Sequence, residues 1–550
     1  VAVRRILGRR WFIARGWTAI AHVLLLTTTA WSAGPEVHSF LPAGGERGTT
    51  VEVSVGGKLP NWPVQTWTDG AGLTVSPKEE KGKLSIAIAA DAVLGRRWIR
   101  LYDAAGSSPP IPFVIDTLPE TLETEPNNGP TSAPTPLATP TIANGRLGGS
   151  GDVDVWPVAL RRGQTLVASL AAHETLGSAV DAVMQIVSSS GQTLAYNHDE
   201  RGLDPEIRFV VPADGTYLVR LFGFPSAPNQ TIGFAGRDSY VYRLTLTTGP
   251  FVDYCWPLAV TRGMESRVDL VGWNLADDMR SCAVRTDGDE FLIAEPRLAN
   301  TTNVRVEPHA TMVETEPNPA ATAQAITLPV TISGRIEPPG DVDAFAFAGK
   351  KGEPFVFELA SRGLGYPLDV VLQVLDAEGH SLARVDDLGE ALDPTLTFTP
   401  PADGTFRLLV QDLTAAGSSR HVYRLRATRP EPTFSVTASG HAFELPADKP
   451  LDIALAIDRQ HGFAEEIAFR VEGLPEFVSA PVMVSPGSGE AAKSVKLTLA
   501  SKGGSFSGPI RIIGQSSGPL ALSRAAAAII PNHTVRCDKL WLTVVAAKAP

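Results

Sequence analysis

Apolar and polar residues alternate along most of this chain in short runs, with Gly, Pro, Asn or Asp between one run and the next. Between Gly48 and Gly57 the apolar positions are Val51, Val53 and Val55, and between Gly263 and Gly272 they are Val268 and Leu270. A period of two sends successive side chains to opposite faces of a strand, so each run reads as half-buried β-structure. The pattern predicts strands over 153–160, 165–171, 182–188, 207–211, 216–222 and 240–247, with turns at Asp214-Gly215 and Ser190-Gly191. Similar runs lie at 453–457, 495–499 and 540–545. Within 216–222, Tyr217, Val219 and Leu221 are expected to face a core, leaving Leu218, Arg220 and Phe222 outward. Strands spaced every ~8–12 residues with turn residues between them belong to antiparallel sandwiches and jelly rolls. No stretch longer than ~12 residues carries a helical stripe. The expected fold class is all-β, a tandem series of β-sandwich modules.

The pattern also repeats. Glu123-Thr124-Glu125-Pro126-Asn127-Asn128 returns as Glu314-Thr315-Glu316-Pro317-Asn318, 191 positions later. Gly151-Asp152-Val153-Asp154 returns as Gly340-Asp341-Val342-Asp343, and Pro212 to Tyr217 as Pro401 to Phe406, both at an offset of 189. A near-constant offset means that one unit occurs twice. The stretches ahead of each copy correspond too: Pro42, Arg47, Gly48 and Gly57 match Pro257, Arg262, Gly263 and Gly272 at an offset of 215. The expected layout is a leader over 1–32, modules at 34–117 and 249–311, the repeated unit at 118–248 and 312–429, and a last sandwich at 431–550. The 50 Gly and 44 Pro among 550 residues argue against helical bundles and solenoids, because both residues disfavour helix interiors.

Residues 1–16 hold five arginines and no acid, and a short apolar run to Trp31 follows. That layout predicts a secretory signal peptide, a retained anchor being the alternative. Arg9-Arg10 also fits a twin-arginine signal, and Val1 fits an alternative bacterial start codon. Removal of the leader would leave 43 basic against 59 acidic residues. An acidic chain without a Lys/Arg block has no footprint for nucleic acid, and no later stretch is long and apolar enough to span a bilayer. The expected setting is secreted, periplasmic or cell-surface. Of the three cysteines, Cys255 and Cys282 fall in one short module and are open to pairing in an oxidising compartment; Cys537 is left over. If the 215-residue correspondence continues, they stand where Phe40 and Trp67 stand in the first copy.

The combination of Glu-x-Glu-Pro-Asn-Asn, Gly-Asp-Val-Asp, Pro-Ala-Asp-Gly-Thr-Tyr and a closing Tyr-x-Leu strand (Tyr242, Leu244) resembles the bacterial pre-peptidase C-terminal domain. That family includes the collagen-binding modules of clostridial collagenases. The resemblance covers 120–248 and 312–429, and the flanking modules resemble immunoglobulin-like sandwiches of the IPT/TIG type. It implies jelly-roll modules appended to exported enzymes, some of which bind calcium. The residues suit that ion independently, since Ca²⁺ takes about six to eight oxygen ligands. Glu123, Glu125, Asn127 and Asn128 offer oxygen-bearing side chains close together, and Asp152 and Asp154 share one side of a strand if Val153 faces the core. The second copy offers Glu314, Glu316, Asn318, Asp341 and Asp343, with Pro319 in place of the second Asn, so a weaker site is expected there. By the resemblance, the linker acids and a strand aspartate converge on one ion. The alternative is that Glu-Pro-Asn and Gly-Asp are turn chemistry and the acids are solvated.

Gly514-Gln515-Ser516-Ser517-Gly518 matches G-x-S-x-G, but Pro519 follows at once and no acid lies between Ser516 and His533. A nucleophile elbow needs a helix next, then an acid and a histidine. The ten histidines form no H-E-x-x-H. With every segment assigned to a sandwich, no catalytic domain is left. The expectation is an exported, non-enzymatic, calcium-binding adhesion protein that recognises an extracellular polymer or protein. Phe222 with Arg220, and Phe224 beyond them, are the candidate contact residues. The alternatives are a calcium-stiffened spacer of the cell envelope and an accessory subunit of an exported hydrolase.

Overall fold

A computed structural model describes residues 33–129, 135–224, 233–386 and 392–545; the expected signal peptide lies outside them. Strands dominate, and among the described residues the one α-helix is the four-residue His173–Leu176. No described helix is long and apolar enough to cross a membrane. Residues 36–116 form two four-stranded sheets: Glu36–Leu41, Thr50–Lys58, Lys83–Ile88 and Leu73–Pro77 in one, and Gly44–Glu46, Ile111–Asp116, Gly95–Tyr102 and Gln65–Thr68 in the other. Phe40, Val53, Ile86, Ile99 and Phe113 fill the space between them.

Residues 251–307 form a smaller pair of sheets that shares one local irregularity with the first. A register shift falls between Val37 and Ser39, and again between Val252 and Tyr254. Opposite each shift stands a glycine whose Cβ would meet a carbonyl oxygen, 2.0 Å from Glu36 at Gly57 and 2.1 Å from Phe251 at Gly272. Only a residue without Cβ allows that approach. The correspondence also holds for Cys255, which pairs with Leu270 as Phe40 pairs with Val55. It fails at Trp67, which pairs with Arg100 in the opposite sheet, whereas Cys282 pairs with Val268. Cys255 and Cys282 lie on strands separated by Ser266–Trp273, two strand spacings or ~10 Å apart. A disulfide needs Cα atoms within ~4.4–6.8 Å, so the pairing left open by the sequence does not fit this register, and all three cysteines are free thiols.

The two repeats share one strand order. In the first, Glu206–Val210, Thr165–Ala171, Val241–Thr247, Thr141–Arg146 and Glu120–Leu122 form one sheet, and Asp154–Leu160, Gly215–Gly223, Ala182–Val187 and Thr193–Asn197 the other. In the second, Thr395–Phe398, Phe355–Ala360, Val422–Thr428, Val330–Arg335 and Ala310–Val313 face Val342–Gly349, Gly404–Asp412, Val370–Leu375 and Ser381–Val385, with Gln324–Ala325 added at the edge. Tyr217, Val219 and Leu221 point into the first core as expected, beside Trp156. The other face is not open. Val153, Val155, Leu218 and Phe222 form a second apolar cluster with Phe234 against it, and Phe222 meets Phe234 at 4.3 Å between ring centroids. Phe222, expected outward, is therefore 9% exposed, while Phe224 is 54% exposed. The last segment folds as Thr433–Ala438, Leu451–Gln460, Ser494–Ser501 and Val478–Ser479 facing a sheet built on Phe506–Ser516 and Leu540–Val545.

Charged side chains seal the junctions between segments. Arg243 is buried in an ion pair with Asp116 at 2.5 Å and Glu120 at 2.8 Å, tying the first repeat to the chain before it. Arg201 and Arg420, from different repeats, both reach Asp253 between them, at 2.6 and 2.7 Å. Such buried charges are tolerated only when paired, and these pairs fix the segments against one another.

Candidate metal centre

Each repeat begins with a short edge strand, Glu120–Leu122 or Ala310–Val313, and the Glu-x-Glu acids follow it directly. The edge strand runs parallel to Thr141–Arg146 or Val330–Arg335 in one sheet. Asp154 and Asp343 stand at the start of the facing sheet. The carboxylate oxygens of Glu123, Glu125 and Asp154 lie within 4.8 Å of one another, as do those of Glu314, Glu316 and Asp343. Asp154 and Asp343 are fully buried, Glu123 and Glu314 half-buried, and Glu125 and Glu316 exposed.

Main-chain donors and one tyrosine orient these acids. Arg146 N–H donates to Glu123 at 2.9 Å and Arg335 N–H to Glu314 at 2.7 Å. Asn127 and Asn318 donate their N–H groups to Glu125 and Glu316 at 2.9 and 3.0 Å. Tyr242 donates to Asp154 Oδ2, and Tyr423 to Asp343 Oδ2, each at 2.6 Å. Gly145 and Gly334 leave the room: a Cβ at either would stand 2.5 Å from the glutamate Oε2 and 2.2 Å from the tyrosine.

Several polar atoms at the two clusters are left over. Asp154 Oδ1, Asp343 Oδ1, Asn127 Oδ1 and both polar atoms of the Asn318 amide are buried without a hydrogen-bond partner. Such an atom costs ~1–3 kcal/mol, and the same defect appears at matching positions of both repeats. Burial is the main reason the acids hold protons here: it pushes Glu123 up to about 9, with the Asp154 charge adding to it, and Asp154 up to about 7. In the second repeat burial pushes Glu314 up to about 7, and burial with the Glu314 charge pushes Asp343 up to about 10. A cation would supply what both clusters lack, a counter-charge and a partner for the orphaned oxygens. The donors are oxygen only, which suits a hard cation.

Three expected ligands fall outside the clusters. Asp152 accepts from Gly148 N–H at 2.6 Å and Val153 N–H at 3.0 Å, and Asp341 from Glu337 and Val342 N–H at 3.1 and 2.9 Å. They close turns because each stands just ahead of its strand, Asp154–Leu160 or Val342–Gly349, and Val153 joins the outer apolar cluster while Asp154 is buried. Asn128 is exposed, at the position of Pro319. The tyrosines and glycines were not expected as site residues. Tyr242 stood in the closing-strand motif, and Gly145-Arg146 recurs as Gly334-Arg335 at the 189 offset. A third group, Asp376, Glu378 and His380, lies at a hairpin, where Asp376 is bonded to His380 N–H and Nδ1 at 2.7 and 3.0 Å. Ser516 ends a strand, buried, with Oγ accepting from Leu522 N–H at 2.9 Å, and a strand, Ser523–Ala525, follows instead of a helix. That arrangement is not a nucleophile elbow.

No known protein-family profile matches the chain. A probable subtilase-type serine protease of Deinococcus radiodurans is 29% identical over 238 residues, 42% of this chain and 26% of the relative. The chain thus spans about a quarter of that protein's length. Among solved structures, the pre-peptidase C-terminal domain of a Bacillus anthracis collagenase matches at a TM-score of 0.17 and 14% identity, over 21% of this chain and all of that one. The SGBP-B protein of the Bacteroides ovatus mixed-linkage glucan utilisation locus, bound to a heptasaccharide, matches at 0.13 and 11%, over 70% of this chain and 73% of that one. Likeness this distant assigns the chain no role.

Proposed function

We propose that this chain is a non-catalytic binding protein of the cell exterior whose two repeats are pre-peptidase C-terminal domains, each holding a calcium ion. In this reading immunoglobulin-like modules at 34–117 and 249–311 and a sandwich at 431–550 flank them. The observation that carries it is the recurrence of a buried, oxygen-only cluster with orphaned carboxylate and amide oxygens. Oxygens that share one Ca²⁺ at ~2.4 Å stand no more than ~4.8 Å apart, and one carboxylate oxygen from each of the three acids in either cluster meets that condition. Calcium is preferred to Mg²⁺ here because carboxylates and an amide oxygen from separate segments suit its flexible coordination (~6–8 ligands), whereas Mg²⁺ keeps a strict octahedron with several waters. Glu123, Glu125, Asp154 and the Asn127 amide would hold the first ion, and Glu314, Glu316, Asp343 and the Asn318 amide the second.

The ion would supply the counter-charge that lets these acids stay ionised. Because the glutamates follow the strand of one sheet and the aspartate belongs to the other, it would also clamp the entering linker to both sheets. The ion-paired junctions fit a rigid scaffold that presents a surface. Its target is an extracellular polymer or protein. Calcium titration of the chelator-treated full chain by calorimetry tests the reading. Two ions are expected for the natural sequence and one each for Asp154→Asn and Asp343→Asn, with a stabilisation of ~2.7 kcal/mol at a hundredfold excess over Kd. Absence of binding heat together with an unchanged Tm would remove calcium from the reading.

A further inference from the structure

A cavity of about 370 Å³ opens between the first module and the last, at the low end of the ~300–1,000 Å³ range of small-molecule sites. Trp67, Pro509 and Ile510 make it largely apolar, and Asp69, Glu472 and Arg511 stand among its lining groups. Its two walls come from segments far apart in the chain, yet they are fixed to each other. Arg100, fully buried, donates to the carbonyls of Ser108, His441 and Lys539 at 3.0, 3.2 and 3.4 Å. Its guanidinium lies 5.6 Å from the ring centroid of Trp541, which takes the edge of Trp67 at 5.9 Å. The cavity is therefore preorganised, and binding need not order its walls.

The charges around it are matched only in part. Arg511 pairs with Asp538 at 2.7 Å and Glu472 with Arg470 at 3.0 Å, whereas Lys539 Nζ, 5.6 Å from the Trp67 ring centroid, donates to the main-chain carbonyl of Asp69 at 2.7 Å, and Asp69 Oδ1 is buried without a hydrogen-bond partner. What remains beside the indole is one ammonium and one carboxylate of opposite sign, which offer hydrogen-bonding capacity and no net charge. A second cavity, between the second repeat and the last segment, is more heavily charged: Arg426, Arg429 and Arg524 line it together with Glu358 and Glu431. The first cavity matches a ligand with an apolar C–H face and a hydroxyl periphery. A pyranose ring has both, one to lie against the indole and one to bond the polar groups.

We propose that this cavity is a subsite for a neutral polysaccharide, with one sugar ring against Trp67. The assignment rests on the reading of the chain as a binding protein and names its target class. The test is calorimetric titration of the full chain with cello-, xylo-, laminari- and maltohexaose, with Tm recorded for every variant. At least one hexaose is expected to bind, and Trp67→Ala to weaken it roughly tenfold or more, as loss of an aromatic anchor does. Gly70→Phe is a second block, because a Cβ at Gly70 has nothing within 4 Å; it should weaken binding as much while leaving Tm unchanged. Arg524→Ala, in the other cavity, should leave binding unaltered. Hexaose binding that survives both Trp67→Ala and Gly70→Phe would overturn the site. If no hexaose binds but a protein or an acidic polysaccharide is retained, the inference falls and the binding-protein reading stands. If nothing is retained, both fall.

Discussion

In the first repeat Trp156 donates its indole N–H to the Tyr242 hydroxyl at 2.9 Å, and that hydroxyl donates a hydrogen bond to Asp154. In the second, Phe345 stands at the position of Trp156, and Tyr423 lies 2.6 Å from Asp343 and 3.3 Å from Glu314. The acids, the tyrosine and the glycine thus recur while the layer behind them varies. A second difference lies at the junctions. Arg243 is buried between Asp116 and Glu120, whereas at the matching position Arg424 faces Glu307 without a bonded carboxylate, and burial lowers its pKa. The comparison separates what the cluster requires from what each repeat needs to dock in its place.

The largest effect that could break this comparison is at the junction. Arg243→Met would leave Asp116 and Glu120 without their cation, and removing one partner of a buried pair costs ~3–5 kcal/mol. Arg424→Met should cost ~1 kcal/mol or less, because it removes a desolvated charge that bonds no carboxylate. Denaturant unfolding of both variants gives the ratio; equal losses would mean that the two repeats are docked alike.

Next come the glycines. Gly145→Ala and Gly334→Ala push a methyl group against the tyrosine and the glutamate, an overpacking worth ~1–3 kcal/mol. Each should also abolish one metal equivalent in calorimetry. Loss of stability without loss of an equivalent would mean that the gap is packing space and holds no ion.

The pH response follows from the raised carboxyls. In the metal-free folded chain Glu123 and Asp343 keep protons up to about 9 and about 10, and Asp154 and Glu314 up to about 7, because they are buried. The unfolded chain releases the same protons near pH ~4. The folded state therefore binds more protons above that point, and its stability declines as pH rises through 7 towards 10. Calcium displaces those protons, so its affinity should climb over the same window and the decline in Tm should flatten when it is present. A Tm that is level with pH in chelator would show that these acids are solvated.

Much of this was readable from residue order because it depends on local chemistry. Period-two alternation located the strands, and the constant offset showed that whatever Glu123, Glu125 and Asp154 do, Glu314, Glu316 and Asp343 do again. What could not be read were consequences of tertiary packing. Phe222 alternates as an outward residue should, yet Phe234, contributed by a later loop, covers it. Asp152 and Asp154 look equivalent in sequence, but one caps a turn and the other enters the core beside Trp156. The match of Cys282 to Trp67 failed because the smaller module routes that strand into the other sheet.

The smallest expected effect is the one that addresses the comparison most directly. Trp156→Phe gives the first repeat the inner layer of the second, removing a single buried hydrogen bond to Tyr242, worth ~0.5–1.5 kcal/mol. Freed from the indole, the tyrosine can turn between Asp154 and Glu123 as Tyr423 stands between Asp343 and Glu314. The calcium affinity of the first site should then move towards that of the second, without loss of stoichiometry. Phe345→Trp should shift the second site the opposite way if the indole finds Tyr423. Should neither exchange alter affinity, the difference between the sites must come from the exposed end, where Asn128 faces solvent in one repeat and Pro319 in the other. Pro319→Asn would then be the substitution that brings the two affinities together.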